Sequence, residues 1–271
     1  MEFGVRSDTG RVRENNEDSF CLAPELNLFV LSDGMGGQAS GEVASRLAAE
    51  TVVQHCREAA ANPSLAFEGV RIVGVSEATN RLASAVRLAN AAIRNEAQKS
   101  KDREGMGATV VAVQFDGERM SLAHVGDSRA YRVRNGEMEQ LTQDHSFVAD
   151  QVRKGAMTQQ EAERSQLQSV LLRALGQDAE VEVDVTEELV MDDDTLLLCS
   201  DGLTRELSDT QIAAVLGDTD DEREAASRLV ALANQAGGGD NVTAIVLRSS
   251  LKPVGAFARI GRWFKGSENA S

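Results

Sequence analysis

The sequence predicts an α+β protein in which antiparallel sheets carry helix pairs on their outer faces. Three observations lead there. Short apolar runs, several bounded by Gly or Asp, recur near residues 3–6, 28–32, 109–115, 120–125, 129–133, 181–185 and 194–199, as strands do. Longer helical patterns fill 41–60, 78–100, 146–154, 209–216 and 222–236. Between 109 and 141 the apolar runs follow one another across short polar turns, Asp116-Gly117 and Asn135-Gly136. Turns that short join antiparallel hairpins and leave no room for a regular βαβ alternation.

Each element has its own reason. In the helix over 78–100, Leu82, Val86, Ala89 and Ile93 recur at spacings of three and four and make one apolar face. His55 falls on an amphipathic helix and His124 in a strand, so both read as structural. The strand over Val242–Arg248 closes the body, which gives a domain over 1–248 and a tail over 249–271. The tail sets Lys252, Arg259, Arg262 and Lys265 against Glu268, a net of +3, with Phe257, Ile260 and Phe264 on one side and Trp263 beside them. That pattern suits a basic amphipathic helix docking on a partner or a membrane surface; the plainer readings are a helix docked on the acidic body itself or a frayed end.

Composition excludes whole classes of function. With 28 Lys+Arg against 43 Asp+Glu the net charge is −15, which opposes general nucleic-acid binding. Charged residues at 26% and apolar ones at 42% describe an ordinary globular chain of 271 residues. Three Cys do not make a disulfide framework, and no apolar run approaches the roughly 20 residues of a membrane span. The opening residues are too polar for a signal peptide, and the expected location is the cytoplasm.

The chemistry is concentrated in one recurring arrangement, an apolar strand that reaches an Asp beside a Gly. It appears at Ser32-Asp33-Gly34, at Gly126-Asp127, at Ser200-Asp201-Gly202 and, in mirror order, at Gly239-Asp240, with a further acidic pair at Glu17-Asp18. An isolated Asp-Gly is usually a turn. Four of them at strand ends point to carboxylates over one rim, where mutual repulsion calls for a cation. All-oxygen ligands favour Mg²⁺ or Mn²⁺ over zinc. The three His and three Cys are scattered, with no zinc-site spacing.

Six motifs in order then resemble the bacterial branch of the metal-dependent protein phosphatase 2C family. They are the stretch from Ser7 through Arg13 to Glu17-Asp18-Ser19, Asp33-Gly-Met-Gly-Gly37, Gly105-Met-Gly-Ala-Thr109, Gly126-Asp-Ser-Arg129, Ser200-Asp-Gly-Leu203 and Gly239-Asp-Asn-Val-Thr243. The resemblance covers roughly residues 3–247. It implies a four-layer αββα sandwich of two antiparallel sheets flanked by helix pairs, with a metal cleft at one end. It also implies hydrolysis of phosphoserine and phosphothreonine on proteins by a metal-activated water, opposing a bacterial-type Ser/Thr kinase.

The same resemblance implies residue roles. Asp33 bridges two Mn²⁺ or Mg²⁺ ions, Glu17 and the Gly34 carbonyl complete one site, and Asp201 and Asp240 hold the other. Asp18 orients the attacking water, Arg13 grips the phosphate, and Asp127 serves a third, weaker ion. Residues 145–175 correspond to a flap that meets the protein substrate. Met35 stands where eukaryotic relatives often carry a His, and a thioether cannot act as a general acid. His145 reads as a packed or flap-anchoring residue. Two other functions compete: a scaffold that has lost activity, which the complete ligand set opposes, and a cysteine phosphatase. For the latter, Cys199 would need a glycine-rich phosphate loop before Arg205, and the intervening residues do not supply one.

Overall fold

The structure, a computed structural model, describes residues 1–36 and 40–249. Gly37 and the tail beyond Ser249, with its expected amphipathic helix, lie outside the described residues. Two antiparallel sheets stack face to face. The first is ordered β1 (Glu2–Asp8), β11 (Val242–Arg248), β10 (Thr195–Cys199), β7 (Arg129–Arg134), β8 (Glu137–Gln140). The second is ordered β2 (Asp18–Ala23), β3 (Leu28–Met35), β5 (Val110–Asp116), β6 (Arg119–Val125), β9 (Asp184–Leu189), with the short β4 (Gly107–Ala108) paired to β3. Helices α1 (Ser40–Ala61) and α2 (Glu77–Ala97) cover the second sheet. On the first sheet lie α5 (Asp201–Thr204), α6 (Asp209–Gly217) and α7 (Glu222–Ala236).

Period-two alternation divides the apolar residues among three cores. On β10, Leu196 and Leu198 face the other sheet while Leu197 and Cys199 face the helices. On β3, Phe29 and Leu31 face inward while Leu28 and Val30 meet α1 and α2. Central strands are therefore covered on both faces, which is why they read as unbroken apolar runs. The expected face of α2 holds, since Leu82, Val86, Ala89 and Ile93 are all fully buried. The helix ends follow side-chain chemistry: Ser76 Oγ accepts from Thr79 N at 3.2 Å, and Ser208 and Gln211 form a capping box.

Three strand expectations need correction. Asp116-Gly117 and Asn135-Gly136 do turn hairpins, β5–β6 and β7–β8, but β6 does not pair with β7. Gly126, at φ 107°, and the two residues after it carry the chain from one sheet to the other, and β7 pairs with β10 instead. The run at 181–185 begins as loop, with Val181 and Val183 packed under α2, and the strand itself is Asp184–Leu189. β2 escaped notice: it is an edge strand with solvent on one side, and its sequence carries little apolar alternation.

Register brings the catalytic-looking ends together. Asp18 pairs with Asp33, Val110 with Val125, Cys199 with both Arg129 and Ala244, and Asp8 with Val242. The polar residue that precedes or follows each of these strands thus lands at one end of the sandwich. Because Leu198 is fully buried between the sheets, Leu198→Ala should cost about 3 kcal/mol of unfolding free energy in a denaturant titration. A loss below about 1 kcal/mol would mean that the inter-sheet core is not the continuous layer described.

Candidate active site

A cleft of about 340 Å³ opens at that end of the sandwich, lined among others by Arg13, Glu17, Asp33, Gly34, Met35, Asp127, Asp201, Arg205 and Asp240. Every residue expected to hold a metal therefore faces one cavity, with the expected phosphate-binding Arg13 on its rim. Asp18 does not line it. That residue is buried behind the wall, where Oδ2 accepts from Ser200 Oγ at 2.8 Å and Thr243 Oγ1 at 2.6 Å. The segment expected to form a flap contributes Ser169 and Leu171 to the lining.

The backbone that presents these carboxylates is itself held by side chains. Thr109 Oγ1 accepts from Asp33 N at 2.9 Å and pairs with Ser128 Oγ at 2.7 Å. Asn241 is a clasp: Oδ1 accepts from Glu17 N at 2.8 Å, and Nδ2 donates to Asn15 O at 2.8 Å and Thr9 O at 2.9 Å. Two glycines are required by close approach. A Cβ on Gly34 would lie 2.0 Å from Gly41 O, and one on Gly202 would lie 2.0 Å from Asn241 O. This is the physical content of the Asp-Gly pairs at 33–34 and 201–202. The roles of Thr109, Ser200, Asn241 and Thr243 went unread in the sequence, although each sits inside a motif.

Electrostatics mark the cleft as cation-seeking. Burial, compounded by the charges of Asp18, Asp201, Asp127 and Asp240, pushes the Asp33 carboxyl well above the usual carboxylate range. Burial likewise raises Asp18 to about 7 and Asp127 to about 8, and it raises Asp201 and Glu17. Asp201 Oδ1 and Asp18 Oδ1 are buried with no hydrogen-bond partner among the described residues. Such oxygens, desolvated and like-charged, fit hard divalent cations. The residues present therefore suit the metal that the motifs imply.

Other chemistries fit less well. Cys199 is fully buried and burial pushes its thiol up to about 12, so it is no thiolate nucleophile. His124, His145 and Asp184 bring ligand-type atoms within 4.8 Å of one another. Arg173 already occupies that cluster, with Nη1 3.0 Å from His145 Nε2 and an ion pair to Asp184. His145 stacks on His124 at 4.8 Å, its Nδ1 accepts from Gly126 N at 3.1 Å, and its carbonyl accepts from Leu172 N at 2.7 Å. It anchors both ends of the segment 145–175, which holds α3 (Phe147–Arg153) and α4 (Gln159–Ala162).

A four-layer sandwich with a carboxylate cleft across one end of both sheets is the architecture of a metal-dependent phosphatase. The chain belongs to the protein phosphatase 2C family, whose model, described as "Protein phosphatase 2C", matches residues 10–234. It is 39% identical over 246 residues to the serine/threonine protein phosphatase PstP of Mycobacterium tuberculosis, covering 91% of this chain and 44% of that protein. The chain thus spans somewhat under half the length of that relative. It is 34% identical to a serine/threonine phosphatase of Listeria monocytogenes, covering 94% of this chain and 98% of the other. The crystal structure of the PstP catalytic domain in complex with two manganese ions superposes with a TM-score of 0.77 at 39% identity, over 90% of this chain and 96% of that one.

The raised carboxyls give the metal-free chain a definite pH dependence. Asp18 and Asp127 titrate in the folded chain near 7 and 8, above an unfolded Asp at about 4, so the folded chain binds more protons between those values. The stability they contribute is complete below about pH 4 and is lost as pH rises through 7 to 8. The carboxyls shifted the other way, such as Glu187 at about 2, have finished titrating below that window. His55 and His124, whose imidazole pKa burial lowers, act in the opposite sense up to about pH 6.5, so in EDTA the Tm should fall between about pH 6.5 and pH 8, and Mn²⁺ should raise it more at pH 8. A Tm that climbs over that interval without metal would contradict the carboxylate cluster.

Proposed function

We propose that residues 1–248 act as a protein phosphatase that hydrolyses phosphoserine and phosphothreonine on proteins, with Mn²⁺ or Mg²⁺ as cofactor. The observation that carries the reading is the single cleft that collects Glu17, Asp33, Asp127, Asp201 and Asp240 beneath Arg13. The relatives' names and the two manganese ions of the PstP domain support it. Glu17, Asp33 and the Gly34 carbonyl would hold one ion, Asp33, Asp201 and Asp240 a second, and Asp127 a third, weaker one. Bound divalent cations supply the acidity that activates a water and neutralise charge on the phosphoryl oxygens.

The chain's own groups do the remaining work. Arg13 presents a planar fork suited to two phosphate oxygens, and its side chain is half exposed at the rim, where substrate arrives. Thr109 keeps the Asp33 backbone in place, and the Ser200 and Thr243 hydroxyls hold Asp18 at the rear wall. Asp18 does not line the cleft, so the water-orienting role that the motif implies for it would be indirect. Met35 lines the cleft without a proton to give, and no His does so among the described residues. Ser169 and Leu171 of the expected flap line the same cleft, where they would meet a protein substrate. The reading extends to a bacterial-type kinase as the opposing enzyme and to the cytoplasm as the setting, which the three free cysteines suit. No helix among the described residues is long and apolar enough to cross a membrane, and the reading leaves the basic tail to dock on a partner, on a membrane surface or on the acidic body itself, or to end the chain without a docking site.

Two measurements test this reading. Turnover of a phosphothreonine peptide should require Mn²⁺ or Mg²⁺ and vanish in EDTA, and Asp33→Asn should lower kcat by about 10²-fold or more at saturating metal. Full turnover in excess chelator, or a near-normal kcat in that variant, would refute the proposed chemistry. Arg13→Lys keeps the charge and loses the two-oxygen grip, so KM should rise about tenfold with a smaller effect on kcat. An unchanged KM would leave Arg13 an ordinary surface cation.

A further inference from the structure

Arg205 has no part in the proposed chemistry, yet its guanidinium reaches two of the assigned metal ligands. The helix α5 is a single turn that begins at Asp201, and Arg205 caps its end, with its backbone N donating to Asp201 O at 2.9 Å. An Asp four residues before an Arg faces it on the same side of a helix. The Arg205 side chain accordingly folds back to form an ion pair with Asp201 Oδ2. Its Nη1 also lies 3.2 Å from Asp240 Oδ2, the oxygen that accepts from Arg13 Nη2 at 2.9 Å. The neighbouring Glu206 accepts from Gly239 N at 2.9 Å and so ties the Asp240 loop to the residues that directly follow α5.

These contacts have two opposite consequences. The guanidinium offsets repulsion between Asp201 and Asp240, two carboxylates whose side chains are only 13% and 18% exposed. The same guanidinium occupies lone pairs on both Oδ2 atoms, and its positive charge repels a dication approaching them. We propose that Arg205 is a resident counter-ion of the metal centre, which stabilises Asp201 and Asp240 in the metal-free chain and competes with the divalent cation for them. It sets how much metal the centre demands before it fills. The proposal rests on the assignment of Asp201 and Asp240 as metal ligands.

The test uses the full chain without substrate. Mn²⁺ affinity is measured by calorimetry, and Tm is measured in EDTA, for wild type, Arg205→Gln and Arg205→Lys. The Gln variant should bind Mn²⁺ about tenfold more tightly and melt at a lower temperature without metal, because both the competition and the compensation are gone. The Lys variant keeps a point charge and loses the fork, so its affinity should fall between the two. Equal or weaker Mn²⁺ binding by Arg205→Gln overturns the proposal, as does an unchanged metal-free Tm. If Arg205→Gln is unfolded without metal, Arg205→Lys decides: affinity about twofold to threefold tighter than wild type supports the proposal, and equal or weaker affinity overturns it. A wild-type chain that binds no Mn²⁺ would remove the metal centre itself, whereas wild-type binding with an unaltered Gln variant removes only the counter-ion.

Discussion

Like charge in a desolvated place is the constraint around which this molecule is arranged. Glu17, Asp18, Asp33, Asp127, Asp201 and Asp240 are gathered at one end of the sandwich, and burial raises the carboxyls of Asp18, Asp33 and Asp127 most visibly. Left to itself such a cluster would push its strands apart. What keeps it assembled is neutral hydrogen bonding to the backbone on which the carboxylates ride. Thr109 holds the Asp33 amide, and Asn241 holds the Glu17 amide and the loop before it. The guanidiniums of Arg13 and Arg205 add positive charge at Asp240. The polar network is therefore specific to the end that bears the acids.

The three apolar cores supply the rigidity that this arrangement needs. Leu196 and Leu198 lock β10 against the other sheet while Leu197 and Cys199 lock it against the helices, so the strand end that delivers Asp201 has little freedom. β3 is clamped in the same way before Asp33. The flap has a different construction. Leu167, Val170 and Leu172 remain partly exposed, and its ends are tied chiefly through His145 and the bridge from Ser146 to Leu171. The cleft thus has one rigid, densely packed wall that bears the acids and one lightly packed lip.

Much of this was legible in the residues. The α2 face followed from Leu82, Val86, Ala89 and Ile93, and the central strands from apolar runs that end in Asp-Gly. The edge strand β2 was not legible, because it has water on one side and its sequence carries no clear period. Nor was the crossing at Gly126, since a short polar turn looks the same whether it closes a hairpin or changes sheets. The near-triad of His124, His145 and Asp184 was invisible for a related reason. Its members are distant in sequence, and only Arg173 reveals that the cluster is already filled.

The sequence by itself determined which residue types stand at which strand ends, and so the carboxylate chemistry of Glu17, Asp33, Asp127, Asp201 and Asp240. Local patterning suffices for that, because each Asp stands beside an apolar run that the sheets bury, and the Gly after Asp33 and Asp201 permits the close backbone approach found there. Only the tertiary structure decided that Asp18 stands behind the cleft wall and that Arg205 also reaches Asp240. Both depend on the register between β2 and β3 and on the approach of the 239–241 loop to α5. Pairings across more than thirty residues of chain are settled by packing and charge balance, which no local period records.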